Sequence, residues 1–591
     1  MLRDVWGVHF PRDYQIRMIF HLVYRKVPLT YLIRKCGEGK SLVMLGMATL
    51  LRGITISMVP LIGLGSDQVS KSRRPENRIE AWHFDEFKGS NFHLLRRRMQ
   101  RYSPDEKSSI IIYISPQQLK SDSPWYPLLL NLAKQGYISA IVIDEVHATV
   151  ENSDSFRPEF KDGIDAIKHL VQVSTAHHPH AKLPILAMSA TFRTKEQRVF
   201  NRMMGQFPSL VEWGDMDKRG TGIFINIAGD PGHALMQDWS THTEQEDDTQ
   251  SLLYSNSAKA CDESLLNRLD KARAKLPKDI QETANKLRKE FVPLTGNCGI
   301  MLKTYIMEAF CGEGLDDDST LPTLWCVPCT SAANCGVSSL GCTKCYRYGL
   351  PPNLYDLVQE MGRVNRLLNG VPGEHGYHVY INVSTFLSLW IRAQRQVDQH
   401  VRERNELQLY EVLRFLVLPD GCYHDKIERL FERPATYARR GACHDQCSYC
   451  NGDYKDFAGR ISKEHLIGAL QANIFDRGAV RADKLVTFLT DKSNTNRLKK
   501  SVWGETKEVS CGQVHGVVLM LFASGLLELR LSDPKLAGRN NILAKDVMVF
   551  LSKYSATALN GETYDRLKIH DPTAWPRLQL RTIHPSNTGP H

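Results

Sequence analysis

Arg34-Lys35-Cys36-Gly37-Glu38-Gly39-Lys40-Ser41 follows an apolar run and opens a helical pattern from Leu42 onward. The stretch has the composition of a phosphate cradle. Gly37 and Gly39 let backbone amides turn toward an anion with no Cβ in the way, and the helix behind them offers its positive end to the same anion. Lys40 then reaches β- and γ-phosphates and the Ser41 hydroxyl a Mg²⁺ ion. The same residues also fit an ordinary left-handed turn ahead of a helix, so the weight falls on a second motif, Asp144-Glu145-Val146-His147. An aspartate at a strand end beside a nucleotide can hold Mg²⁺, a neighbouring glutamate can orient the attacking water, and His147 is placed to reach across the cleft.

Short apolar runs carry these motifs: Thr30 to Ile33, Gly53 to Val59, Ser109 to Ile114, Ile138 to Ile143 and Leu183 to Met188, each followed by a helix-length segment. Runs this apolar in α/β order predict a parallel sheet covered on both faces, with ligands at the carboxyl ends of its strands. Pro60, Ser115-Pro116, Asp144 to His147 and Ser189 to Thr191 all fall at such ends.

The chain has 591 residues, 42% of them hydrophobic, which excludes a disordered protein and gives on the order of three or four domains. Its net charge of +10 suits a polyanionic partner. No run reaches the about 18 apolar residues of a membrane span, and the first residues do not read as a secretion signal, so a soluble intracellular protein is expected. Fourteen cysteines, some tightly clustered, then suggest metal ligation before disulfides.

In order and spacing, GEGKSL, VPLIGLGSDQV, YISPQQL, DEVH, FRPEF and AMSATF resemble the superfamily 2 helicases and, within them, the RecQ DNA helicases. The resemblance implies two tandem RecA-like parallel-sheet domains, 1–215 and 216–385, then a helical zinc-binding module over 386–456, a winged-helix domain over 457–555 and a tail over 556–591. It makes Lys40, Ser41, Asp144 and Glu145 catalytic, with Arg12 and Gln15 facing adenine beside Gly37, Glu38 and Gly39. Pro60, Ser115, Pro116, Phe156 and Arg157 become DNA contacts, and Ser189 and Thr191 coupling residues.

Thr330 to Val337 and Gln359 to Arg366 resemble the motifs of the second domain. Arg363 and Arg366 are the candidate arginine fingers, reaching a γ-phosphate held by the first domain, and Gln359 and His147 join them in the catalytic set. Asn334 and Asn365 stand where the family has glycine, as Arg34 does in the phosphate loop. Between the two halves, Thr241 to Ser251 reads as an exposed acidic insertion and Lys278 to Lys289 as a charged helix.

Two cysteine groups compete for metal. Cys326, Cys329, Cys342 and Cys345 have ribbon-like spacing but overlap the Thr330 motif, and are read mainly as buried side chains with a second zinc left open. Cys422, Cys443, Cys447 and Cys450 are spaced as one structural Zn²⁺ site, with His424 and His444 as possible substitutes. Further on, GAVRADKLVTFLTD and GQVHGVVLMLFASGLLEL resemble the RecQ winged helix, and the turn with Lys535 and Arg539, along with Lys499 and Lys500, offers cations to phosphates.

The resemblance therefore implies an ATP-dependent 3′ to 5′ DNA helicase acting in repair, recombination or replication on single strands and duplex junctions. ATP, Mg²⁺ and one Zn²⁺ would be its cofactors, and its place would be nuclear in a eukaryote, cytoplasmic otherwise. A helicase-derived DNA-binding protein with weak ATPase, or an RNA helicase, stays open. Asn152 stands where the family's DNA-sensing loop has tryptophan, which predicts shallow stimulation by DNA.

Overall fold

The computed structural model describes residues 8–551 apart from 61–67, 85–91, 152–158, 279–289, 312–323, 366–374, 431–442, 452–478, 495–510 and several shorter stretches. Seven parallel strands form the first sheet: β1 (Leu29–Ile33), β2 (Gly53–Met58), β3 (Ile79–His83), β4 (Ser109–Ile114), β5 (Ile138–Ile143), β6 (Ile185–Ser189) and β7 (Leu210–Trp213). Their order is β3-β4-β2-β5-β6-β1-β7. The five apolar runs became its five inner strands, buried along almost their whole length. The two strands that the apolar signal did not mark, β3 and β7, are the edges. There β3 alternates buried and half-buried residues, because an edge strand needs fewer apolar side chains.

The second sheet is also parallel: β8 (Thr221–Ile227), β9 (Gln250–Tyr254), β10 (Glu290–Phe291), β11 (Leu324–Cys329), β12 (Cys342–Tyr348) and β13 (His375–Ile381), in the order β10-β11-β9-β12-β13-β8. This corrects the expected insertion. Thr241 lies in the Pro231–Glu244 helix, and Gln250 and Ser251 open the central strand β9, where both are buried. Gln250 is polar yet satisfied there: its amide nitrogen donates to Leu324 O at 3.1 Å and the Ser339 hydroxyl donates to its oxygen. The segment 279–289, expected as a charged helix, lies outside the described residues.

Cys326 and Cys329 fall on β11 and Cys342 and Cys345 on β12, with β9 between them. All four are buried in the two hydrophobic layers of this sheet, as expected of small core side chains.

A third, antiparallel sheet of β14 (Ala479–Arg481), β15 (Leu527–Leu531) and β16 (Val547–Leu551) has the order β14-β16-β15. Val480 belongs to β14, and the helix behind it begins at Ala482. This module is fastened to the helices that follow the second sheet. Phe522 packs on Phe386 with ring centroids 5.1 Å apart, and Arg414 Nε donates to Ala523 O at 2.9 Å.

Candidate active site

Strand order assembles the site. β5, β6 and β1 are neighbours, so the acids after β5, Ser189 at the end of β6 and the 34–41 loop after β1 emerge side by side at the carboxyl edge of the first sheet. Gly37 (φ 86°) and Gly39 (φ 81°) both adopt the left-handed conformation that glycine tolerates. Gly39 caps the Lys40–Leu51 helix, and a Cβ there would sit 2.7 Å from Gln15 Nε2. Lys40 Nζ donates to Arg34 O at 2.8 Å and Lys35 O at 3.3 Å, which keeps the ammonium inside the loop.

Arg34 needs no glycine. Its backbone N–H donates to Ser189 O, continuing the β1–β6 pairing, and its guanidinium lies 3.7 Å from the centroid of Tyr14. There it pairs with Glu38 at 3.3 Å and Glu212 at 2.7 Å. Glu38 is also 3.7 Å from Arg12, and Glu212 accepts from Arg17 at 2.8 Å. Ion pairs and a cation over a ring thus brace the loop where a small residue was expected.

Asp144 and Glu145 differ sharply. Burial and then the negative charge of Glu145 push the Asp144 carboxyl well above the usual range, against the Gln68 amide that donates to it. Glu145 goes the other way: burial raises it, but His147, then the positive charges of Lys40 and Arg363, outweigh that and hold it well below the usual range. Glu145 also has φ 46°, a left-handed conformation costly for a residue with a Cβ and of the kind that gathers at functional sites. His147 Nδ1 lies 2.8 Å from Ser189 Oγ and 3.3 Å from Glu145 Oε2.

The second sheet completes the cleft. Asn353 caps the Leu354–Met361 helix by accepting from Asp356 N at 2.8 Å, and Gln359 on that helix puts Nε2 3.2 Å from His147 Nε2. A Cβ on Gly362 would stand 3.0 Å from Cys36 Cβ, so the turn carrying Arg363 rests directly on the phosphate loop. Asn365, in the family's glycine position, has φ 50° and donates its N–H to Cys342 O; asparagine takes up the left-handed conformation at small cost. The helix end is anchored by a buried pair: Arg347 Nη1 donates to Glu360 Oε1 at 2.9 Å and Tyr377 to Glu360 Oε2 at 2.7 Å. An anion loop, two acids with separated ionisation and an arginine from a second body suit in-line displacement at a phosphorus atom.

The DEAD/DEAH box helicase family matches over residues 13–199. The ATP-dependent DNA helicase RecQ of Synechocystis sp. is 28% identical over 200 residues, covering 34% of this chain and 38% of that protein. The probable ATP-dependent DNA helicase RecS of Bacillus subtilis is 32% identical over 161 residues, 27% of this chain and 28% of its own length. This part of the chain is therefore similar to the DEAD/DEAH box helicases and, at modest identity, to RecQ-type helicases. Its matches to these relatives span well under half of their lengths.

The other expected residues are placed as follows. Gln15 is buried with both ends of its amide engaged, Oε1 by Arg12 N at 2.9 Å and Nε2 on Gly39 O at 3.1 Å, so in this arrangement it braces the phosphate loop. Ser41 is exposed at the start of its helix and Thr191 fully buried, its N–H donating to Ser189 Oγ at 2.9 Å. Ser115 and Pro116 are buried, Pro116 lying under Gly163 of the Glu159–His177 helix, while Pro60 and Thr330 are half-buried. Phe156, Arg157, Asn152 and Arg366 lie outside the described residues, as do Lys499 and Lys500.

The sulfur atoms of Cys422, Cys443, Cys447 and Cys450 lie within 4.8 Å of one another, with Cys443 to Cys447 at 3.4 Å and Cys447 to Cys422 at 3.9 Å. A zinc–sulfur bond of about 2.3 Å sets tetrahedral sulfurs about 3.8 Å apart, so the donor set fits that ion. Among the described residues it is the one such group, formed by the four cysteines without His424, while His444 lies outside the described residues. The cluster also closes a sheet edge. Ser448 N donates to Ile223 O and Ile225 N to Ser448 Oγ, both at 2.9 Å, so the segment pairs with the otherwise open side of β8. Lys535 and Arg539 are exposed on a turn held to the second sheet's helices through Gly538 N donating to Gln394 O at 2.9 Å and Arg395 to Ile542 O at 2.6 Å. No helix among the described residues is long and apolar enough to cross a membrane.

Proposed function

We propose that this chain is an ATP-dependent DNA helicase that steps 3′ to 5′ along single-stranded DNA and parts duplexes during repair, recombination or replication. Lys40 meets the β- and γ-phosphates, Glu145 orients the attacking water, and Arg363 stabilises charge on the γ-phosphate from the opposite sheet. Ser41 and Asp144 would hold Mg²⁺, which neutralises phosphate charge when bound. Pro60, Ser115, Pro116 and Thr330 contact DNA, as would Phe156 and Arg157, with Ser189 and Thr191 coupling that contact to the ATP cleft. The third sheet and its helices act as a winged helix, with Lys535 and Arg539 toward duplex phosphates, and Cys422, Cys443, Cys447 and Cys450 hold one Zn²⁺.

The observation that carries this reading is the contact between His147 and Gln359 across the cleft. A water-orienting glutamate whose neighbour is bonded to the second body makes hydrolysis depend on closure, and a cycle of closing and opening is what stepping requires. The test uses duplexes with a single-stranded 3′ or 5′ tail. ATP should drive separation of the 3′-tailed duplex, not the 5′-tailed one, and not in Lys40→Ala. Separation from a 5′ tail would reverse the direction. ATP turnover with no separation of either duplex, or turnover raised by single-stranded RNA in place of DNA, would overturn the assignment.

A further inference from the structure

His147 is gripped by more than its hydrogen bonds. Its ring lies flat on Tyr355, with centroids 5.5 Å apart and planes 9° from parallel. Tyr355 and Gln359 stand at i and i+4 on the Leu354–Met361 helix, so one face of that helix supplies both contacts to the imidazole. Behind Tyr355 stands Arg193, which follows the Ser189-Ala190-Thr191 motif by two residues. Its guanidinium carbon is 4.8 Å from the Tyr355 centroid, and its Nε donates to the phenol oxygen at 2.9 Å. Arg193 is itself buried, and it pairs with Glu196 at 3.1 Å and Glu411 at 3.8 Å. Glu411 belongs to the Gln399–Val417 helix, which leads to Cys422.

We propose that Tyr355 and Arg193 are positioning residues that fix the His147 ring so that it holds Glu145 in place only while the second sheet is closed on the first. With the Gln359 amide nitrogen donating, His147 Nε2 is the acceptor and the ring proton sits on Nδ1, facing Ser189 Oγ and the Glu145 carboxylate. Opening the cleft removes the stacked ring and the amide together, because both ride on one helix. The imidazole then keeps Ser189 Oγ and Glu145 but loses the stack and the amide that fix its ring plane, so its hold on the glutamate is no longer oriented. Arg193 extends the same dependence to the carboxy-terminal modules, since Glu411 lies on the Gln399–Val417 helix that leads to Cys422.

This inference rests on hydrolysis taking place in this cleft, and the test separates the two. ATP turnover with saturating single-stranded DNA is measured in wild type, Lys40→Ala, Tyr355→Leu, Tyr355→Phe and Arg193→Gln, with thermal midpoints recorded alongside. Tyr355→Leu and Arg193→Gln should lose about ten-fold or more in kcat with KM for ATP within about two-fold, because orientation is lost and nucleotide contacts are not. Tyr355→Phe keeps the stacked ring and should recover most of the kcat, which a merely space-filling role for Leu would not require. Wild-type kcat in Tyr355→Leu or, should that variant not fold, in Arg193→Gln overturns the inference alone, provided Lys40→Ala is inactive. A wild type that hydrolyses no ATP overturns both.

Discussion

Asp144 burdens the folded state in a way that Glu145 does not. Its carboxyl is raised by burial and by Glu145, so between the unfolded aspartate value of about 3.9 and the higher folded one the folded chain binds the extra proton. Stability therefore falls as pH rises through that window and stays lower above it. Asp144→Asn should abolish turnover yet raise the thermal midpoint of the nucleotide- and metal-free protein at pH 8, on the order of 1 kcal/mol, and change it little at pH 4. An equal effect at both pH values would show that ionisation of Asp144 is not the cause. At this scale the sequence showed the residues proposed to meet ligand and hid those that brace them. Lys40, Asp144 and Glu145 announce themselves by type and spacing. Gln68, Arg193 and Glu411 carry no local signature, because their partners lie far away in the chain. Tyr355 was within reach, since an aromatic four residues before Gln359 shares its helical face.

Among the elements, the Leu354–Met361 helix and the cysteine segment are each fixed by one buried polar arrangement. Removing Glu360 leaves Arg347 buried without its carboxylate, and burial already pushes the Glu360 carboxyl up to about 7 against the pull of Arg347. Glu360→Ala should cost about 3–5 kcal/mol in urea unfolding of the second sheet, the penalty of a stranded buried charge. A loss under 1 kcal/mol, on the order of an exposed pair, would show that the charge is solvated. For the cysteine segment, one zinc per chain is expected by elemental analysis. Stripping it with chelator in mild denaturant should speed amide exchange at Ile225, whose N–H is bonded to Ser448, before exchange at the inner strands. Unchanged protection at Ile225 in metal-free protein would mean that the edge pairing holds without metal. Strand legibility followed burial: inner strands of the first sheet read as unbroken apolar runs. β9, with Gln250 and Ser251 at its start, did not, because hydrogen bonds within the sheet replace the apolar signal.

Over the whole molecule, the first sheet holds the phosphate loop and acids, the second brings Gln359 and Arg363, and the third module is fastened to the second by Arg414, Phe386 and Gln394. Movement of the second sheet against the first therefore carries the third with it. The tandem sheets were legible as motif order, but their closure was not, since no spacing in the chain encodes that Gly362 meets Cys36. The proposed function requires that ATP be hydrolysed at a site completed by both sheets and that DNA stimulate it. It is tested most directly by ATP turnover with and without single-stranded DNA in wild type and Arg363→Ala, with nucleotide binding measured separately. DNA should raise wild-type turnover, and Arg363→Ala should bind nucleotide but fall about 10³-fold or more in kcat, the range for loss of an arginine finger. Wild-type turnover in Arg363→Ala would contradict it.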